Sequence, residues 1–157
     1  MCENRCGHGG FCSYVASLGA DVVLPLTDGW ADRVREHTHG QGVDIVVDPI
    51  GGLAFDDVIR VLAIDGKLVV IGLAAGGIPT VKVNRLLLRN ISVVGVAWGE
   101  YLNKVPGSAV LFYRGLGQLV FLGLKPLPPQ RYPLWEAQAA LQCLAGGGVL
   151  GKLVLKP

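Results

Sequence analysis

Charge is scarce in this chain. Acidic and basic residues make up 17% of the sequence and leave a net charge of +2. A balance so close to zero gives no basis for binding nucleic acid or an anionic membrane surface. Long apolar runs are missing too, although 51% of residues are hydrophobic and the mean hydropathy is +0.47. None approaches the roughly 18 residues that a membrane-spanning helix requires. Residues 1–20 hold no continuous apolar core of signal-peptide length, so a cytoplasmic location is expected. The sequence contains no internal repeat, no low-complexity tract and no paired C-x-x-C motif. At 157 residues it is long enough for one domain with its own core.

What is present is concentrated between Gly42 and Gly77. Val43, Ile45, Val46 and Val47 form a nearly continuous β-branched run, which predicts a parallel strand buried on both faces. Phe55, Val58, Ile59 and Leu62 recur at helical spacing, and Asp65-Gly66 is the expected stop. Leu68 to Ile71 predicts a second apolar strand, ending at Gly72. Two parallel strands joined by a helix make a βαβ unit, whose crossover is right-handed. Sheets of this kind bind ligands beyond the carboxyl ends of their strands. Those ends carry Asp48-Pro49-Ile50-Gly51-Gly52 and Gly72-Leu73-Ala74-Ala75-Gly76-Gly77. Glycine lets the backbone approach a phosphate-bearing ligand closely. An isolated Gly-Gly could equally serve only a tight turn; one at each of two neighbouring strand ends points to a nucleotide cleft.

The flanking segments are less uniform. Residues 1–12 gather Cys2, Cys6, His8 and Cys12 in a glycine-rich stretch. Their C-x3-C-x5-C spacing does not match common zinc modules, and a disordered leader is the preferred reading over a metal site. Tyr14 to Leu18 reads as a helix tail closed by Gly19, and Asp21 to Leu24 as a short strand stopped by Pro25. A helix is expected from Asp28 to about Thr38, capped by Thr27 or Asp28. Its inner side would carry Trp30, Ala31 and Val34, with Arg33, Arg35 and Glu36 outside. His37 and His39 are two residues apart and fall on different faces, which argues against a metal pair. Further along, the pattern predicts a helix over 83–89 and an apolar strand over 91–96 extended by Ala97-Trp98-Gly99. A helix weakened by Gly115 and Gly117 falls within 105–122, and an extended linker covers 125–129. A helix opened by Pro133 runs to Leu144, Gly146-Gly147-Gly148 breaks it, and a strand follows over 149–155. No side chain stands out as a general acid or base. Asp56 and Asp57 favour a helix N-terminal turn, and Asp48 is placed to cap the turn that follows it.

Several of these stretches carry a family resemblance. LGAD at 18–21, GVDIVVDPIGG at 42–52, GKLVVIGLAAGGIP at 66–79, NRLLLRNISVVGVAWG at 84–99, YPLWEAQAALQCL and the closing GKLVLKP occur in one order. From about Leu18 onward the chain resembles the nicotinamide-binding half of a medium-chain dehydrogenase/reductase. It is closest to the zinc-independent quinone oxidoreductase (ζ-crystallin-like) branch. The resemblance implies an α/β fold, a Rossmann-like parallel sheet of about four core strands with helices on both faces, truncated at its N-terminal end. The family's glycine-rich first turn is not found upstream of residue 21, and that turn normally holds the pyrophosphate. Domain organisation follows as a leader over 1–12, a partial dinucleotide-binding domain over 13–125, and a C-terminal helix and strand over 126–157.

The resemblance also implies a site. Ile50 and Gly51 would lie beside the cofactor ribose, and Ile71, Gly72, Leu73 and Ala74 would flank the nicotinamide with backbone groups. Val96 and Trp98 would come near the same region, and Lys152 near the pyrophosphate. The cofactor implied is NADPH, with NADH possible and no metal expected. The partners implied are a small-molecule substrate and a second copy of the chain, paired through the strand at 91–98. Two functions follow. One is an NADPH-dependent reductase of quinones or α,β-unsaturated carbonyls. The other is a non-catalytic nucleotide-binding fragment or a partner-dependent subunit.

Overall fold

The computed structural model describes residues 10–146 and 149–157. The readings made for Cys2, Cys6 and His8, and for Gly147 and Gly148, lie outside the described residues. The chain forms two compact units, one up to Lys104 and one from Val105.

The first unit contains α1 (Gly10–Ser17), α2 (Trp30–His37), β1 (Val43–Asp48), α3 (Phe55–Val61), β2 (Leu62–Val70), α4 (Val83–Leu87), β3 (Ser92–Gly95) and α5 (Trp98–Lys104). β1, β2 and β3 make a parallel sheet in that order, with Val46 beside Leu68 and Leu68 beside Val93. The β-branched run and the apolar strand at 68–70 thus pair as the sequence pattern predicts. Phe55, Val58 and Ile59 project from α3 and join Leu62, Leu68 and Ile91 in the core, with Trp30, Val46, Val70 and Leu86 packed around them. Burying such side chains contributes roughly 1.5–3 kcal/mol each, which fixes α3 against the sheet. Arg85 of α4 adds an ion pair to Asp56 at 2.8 Å, exposed and worth little by itself.

Several local expectations are corrected. β1 is not buried on both faces: Ile45 and Val47 are 61% and 57% exposed, because α3 covers only the side that carries Val46. Residues 21–24 form no strand, since a strand requires a ladder and no described strand is hydrogen-bonded to them. α3 ends at Val61, because Leu62 is already extended, and Asp65 adopts a left-handed φ of 62° inside an irregular start of β2. α2 has no side-chain cap from Thr27 or Asp28; left-handed Gly29 precedes it. Arg33, expected outside, is half-buried and turns back onto the chain before α2. Ala97-Trp98-Gly99 does not extend β3. Trp98 opens α5, and the Tyr101 N–H donates to the Ala97 carbonyl at 2.9 Å. α1 starts at Gly10, so residues 10–12 of the expected leader are helical, and Cys12 is disulfide-bonded.

The second unit holds α6 (Ser108–Phe121), β4 (Gln130–Pro133), α7 (Ala137–Ala145) and β5 (Leu153–Lys156), with β4 and β5 paired in parallel. β4 went unread in the sequence, and Pro133 ends that strand instead of opening a helix. Tyr132 is hydrogen-bonded to Cys143 of α7, and this bond to the thiol pushes the phenol above its usual range. Among the described residues no helix is long and apolar enough to cross a membrane.

Candidate functional site

The parallel order of β1, β2 and β3 brings three loops to one end of the sheet. β1 ends in Asp48, a residue only 7% exposed, whose carboxylate closes the following turn. Its Oδ1 accepts the Ile50 N–H at 2.8 Å and the Gly51 N–H at 2.9 Å. The side chain therefore caps the turn, as its position before Pro49 suggests. Gly51 then adopts φ 65° and ψ −144°, a conformation that only glycine takes without strain. An added Cβ at Gly51 would sit 2.8 Å from Leu73 Cδ2, and one at Gly72 would sit 2.9 Å from the Pro49 carbonyl oxygen. These glycines permit two loops to lie against each other.

Backbone hydrogen bonds hold the loops together. The Ile71 N–H donates to the Asp48 carbonyl at 2.9 Å, Ala74 to Pro49 at 3.2 Å, and Ala75 to Ile50 at 2.9 Å. Replacing Asp48 by Ala leaves two poorly hydrated N–H groups without their acceptor, and should cost about 2 kcal/mol of stability. Asp48→Asn keeps an acceptor oxygen and should cost less than about 1 kcal/mol. Paired denaturant titrations of the two variants check this.

Beside the first loop lies a cleft of about 470 Å³, lined by Ile50, Gly51 and Gly52 on one wall and by Asp28, Gly29 and Trp30 on the other. A smaller pocket of about 280 Å³ adjoins it, sharing Gly52, Leu53 and Gly77. Arg33 fastens the Pro25–Asp28 wall. Its Nη2 donates to the Pro25 carbonyl and to Thr27 Oγ1, both at 2.9 Å, and its Nη1 to the Asp28 carbonyl at 3.1 Å.

Of the residues singled out from the sequence, Ile50 and Gly51 line this cleft. Ile71, Gly72, Leu73 and Ala74 form the neighbouring loop, but Ala75 and Gly77 are the members that reach the cleft. Val96 follows β3, with its N–H donated to the Val70 carbonyl at 2.9 Å, and Trp98 opens α5, 43% exposed. Lys152 belongs to the second unit, where its carbonyl accepts the Gln130 N–H. The wall formed by residues 26–30, together with Leu53 and Asp57, went unrecognised. The usable signal was topological, because a turn preceding a helix can face the switch end of a sheet. Among the described residues no group of three or more His, Cys, Asp or Glu is placed to hold a metal ion.

Comparison with known proteins places this geometry in a family. Residues 11–115 match the family model described as zinc-binding dehydrogenase. Quinone oxidoreductase-like protein 2 of Rattus norvegicus is 44% identical over 94 residues, covering 59% of this chain and 27% of that protein. Prostaglandin reductase-3 of Bos taurus is 30% identical over 105 residues, covering 61% and 28%. Among solved structures, a probable oxidoreductase from Mycobacterium abscessus superposes with a TM-score of 0.81 at 50% identity, covering 98% of this chain and 44% of that one. A mycobacterial protein solved in complex with NADPH gives 0.80 at 29% identity, covering 92% and 46%. The chain thus spans about a quarter of the curated relatives and less than half of the solved ones. With a family model matching more than half of its residues and a Rossmann-like α/β sheet to match, this chain belongs to the zinc-binding dehydrogenase family of the medium-chain dehydrogenase/reductases.

Proposed function

We propose that this chain forms the dinucleotide-binding part of a reductase that passes hydride from NAD(P)H to quinones or α,β-unsaturated carbonyls. The observation that carries the proposal is the cleft built from two hydrogen-bonded glycine loops at the carboxyl end of a parallel sheet. Bound nicotinamide supplies the hydride, and the protein's task is to seat and orient it. Ile50 and Gly51 are assigned to the ribose side. Ile71, Gly72, Leu73, Ala74, Val96 and Trp98 are assigned to the nicotinamide side. NADPH is the donor that the family resemblance favours, and a relative solved with NADPH supports a nicotinamide dinucleotide in general. The proposed chemistry uses no metal, and the proposed setting is the cytoplasm. Loss of NADPH or NADH absorbance on adding a quinone tests the reading; no quinone-dependent oxidation from a folded chain that binds the cofactor would remove the catalytic part of it.

A second reading is supported by the open face of β1 at Ile45 and Val47. In it the chain binds nucleotide without turnover, or works only with a partner.

A homodimer through 91–98 is part of the proposal. β3 is the last strand of its sheet, and Val93, Val94 and Val96 are each about two-fifths exposed. An apolar edge of this kind is relieved by strand pairing. Sedimentation at micromolar concentration should show a dimer, and Val94→Lys should shift it to monomer. A wild-type monomer would sink the idea.

A further inference from the structure

Residues 20–26 run between α1 and α2 without a regular element, and among the described residues no backbone–backbone hydrogen bond reaches them. Little apolar burial replaces those bonds, since Val22 and Leu26 are 50% and 40% exposed. A segment with so few contacts belongs to the low-stability end of a fold. Its end, from Leu26 to Gly29, nevertheless makes one wall of the cleft that Gly51 and Gly52 line from the other side. The Trp30 N–H donates to the Thr27 carbonyl at 3.1 Å, and the other ties on residues 25–28 come from one side chain. Arg33 spreads its two terminal nitrogens over the Pro25 carbonyl, Thr27 Oγ1 and the Asp28 carbonyl. Its Nε is buried with no acceptor, and no carboxylate pairs with it among the described residues. An unpaired buried donor disfavours this placement, and the three oxygens of the wall are what offset it.

Resting on the nucleotide reading above, we infer that Arg33 is a positioning residue for the cleft. It lies outside the lining and acts by holding the 25–28 wall where a dinucleotide can close against it. A wall that is in place only about a tenth of the time weakens binding about tenfold, whatever contacts the ligand makes. The shape of the side chain matters as much as its presence. A guanidinium presents five N–H groups in one planar fork, whereas lysine presents a single nitrogen that cannot reach three separate oxygens in the same way. Charge alone therefore does not fill the role.

The test titrates nicotinamide fluorescence with the full chain and its variants, using NADH and NADPH at low and at high salt. Arg33→Ala should weaken both cofactors about tenfold, and Arg33→Lys should recover little of that loss. The loss should be equal at both salt concentrations, because it does not arise from attraction between charges. Guanidinium ion, added well below denaturing concentrations, should restore binding to Arg33→Ala, and methylammonium at the same ionic strength should not. A general loss of stability would not respond to that choice of cation. Thr27→Val should weaken wild-type binding about threefold and have no further effect beside Arg33→Ala. If Arg33→Ala does not fold, Arg33→Lys and Thr27→Val carry the test: each should weaken binding, and their losses should not add. Wild-type affinity in Arg33→Lys would overturn the inference, as would a loss in Arg33→Ala that high salt abolishes or that both cations, or neither, restore. Unchanged affinity in Arg33→Ala would overturn it too, while leaving the nucleotide reading intact. Failure of the folded wild type to bind either cofactor would remove the nucleotide reading and the inference with it.

Discussion

Leu68→Ala should lower the unfolding free energy by about 3 kcal/mol, the largest loss expected from any single truncation in the sheet. Leu68 is 0% exposed and lies in the central strand, with Val46 on one side and Val93 on the other. Its side chain belongs to the cluster made by Phe55, Val58, Ile59, Leu62 and Ile91. Removing three carbons there forfeits both their transfer energy and the contacts around the cavity. The strand is pinned by hydrogen bonds on both edges, so the backbone has little freedom to collapse into the space. Leu68→Met conserves volume and should cost less than about 1.5 kcal/mol. Denaturant midpoints measured at an unchanged slope would report both. A loss below about 1 kcal/mol for Leu68→Ala would mean that β2 is not the centre of the core.

Gly51→Ala is the second large effect, and it joins stability to binding. At φ 65° and ψ −144° a side chain costs about 1–3 kcal/mol in backbone strain alone. The added Cβ also meets Leu73 Cδ2 at 2.8 Å, which pushes the two loops apart unless Leu73 changes rotamer. Either response disturbs the Ala75 to Ile50 hydrogen bond that frames the cleft. We expect a stability loss of about 2 kcal/mol and at least a tenfold drop in dinucleotide affinity. Gly76→Ala separates the two effects. Gly76 also has a positive φ of 80°, but nothing lies within 4 Å of its added Cβ, so strain there should arise without displacing Leu73. Similar affinity losses at both positions would show that loop strain, and not the Gly51 contact, governs binding.

Much of the central unit was legible because its signals are local. The β-branched run at 43–47 and the helical spacing of Phe55, Val58 and Ile59 each place a strand and a helix without reference to the rest of the chain. Asp48 was legible for the same reason, because an aspartate before Pro49 can only reach the turn that follows. Properties of pairs and neighbours were not legible. Residues 21–24 have the composition of a strand, yet a strand exists only where a neighbour supplies its ladder. β4 reads as Gln-Arg-Tyr-Pro, with neither alternation nor β-branched residues, and it exists because β5 pairs with it. Ala97-Trp98-Gly99 is apolar enough to continue β3, but the Ala97 carbonyl closes a helical turn with Tyr101. The cleft wall at 26–30 depends on Gly29 reversing the chain into α2 and on Arg33 tying it back. That arrangement joins residues far from Gly51 in sequence, which no periodicity records.

The central claim is that the two glycine loops form a working dinucleotide cleft, and direct binding tests it most simply. Titrating nicotinamide fluorescence with the purified chain should give saturable binding of NADH or NADPH in the micromolar range. Circular dichroism on the same sample should establish that the chain is folded. Absence of binding up to millimolar concentrations of either cofactor, by a chain shown to be folded, would contradict the account.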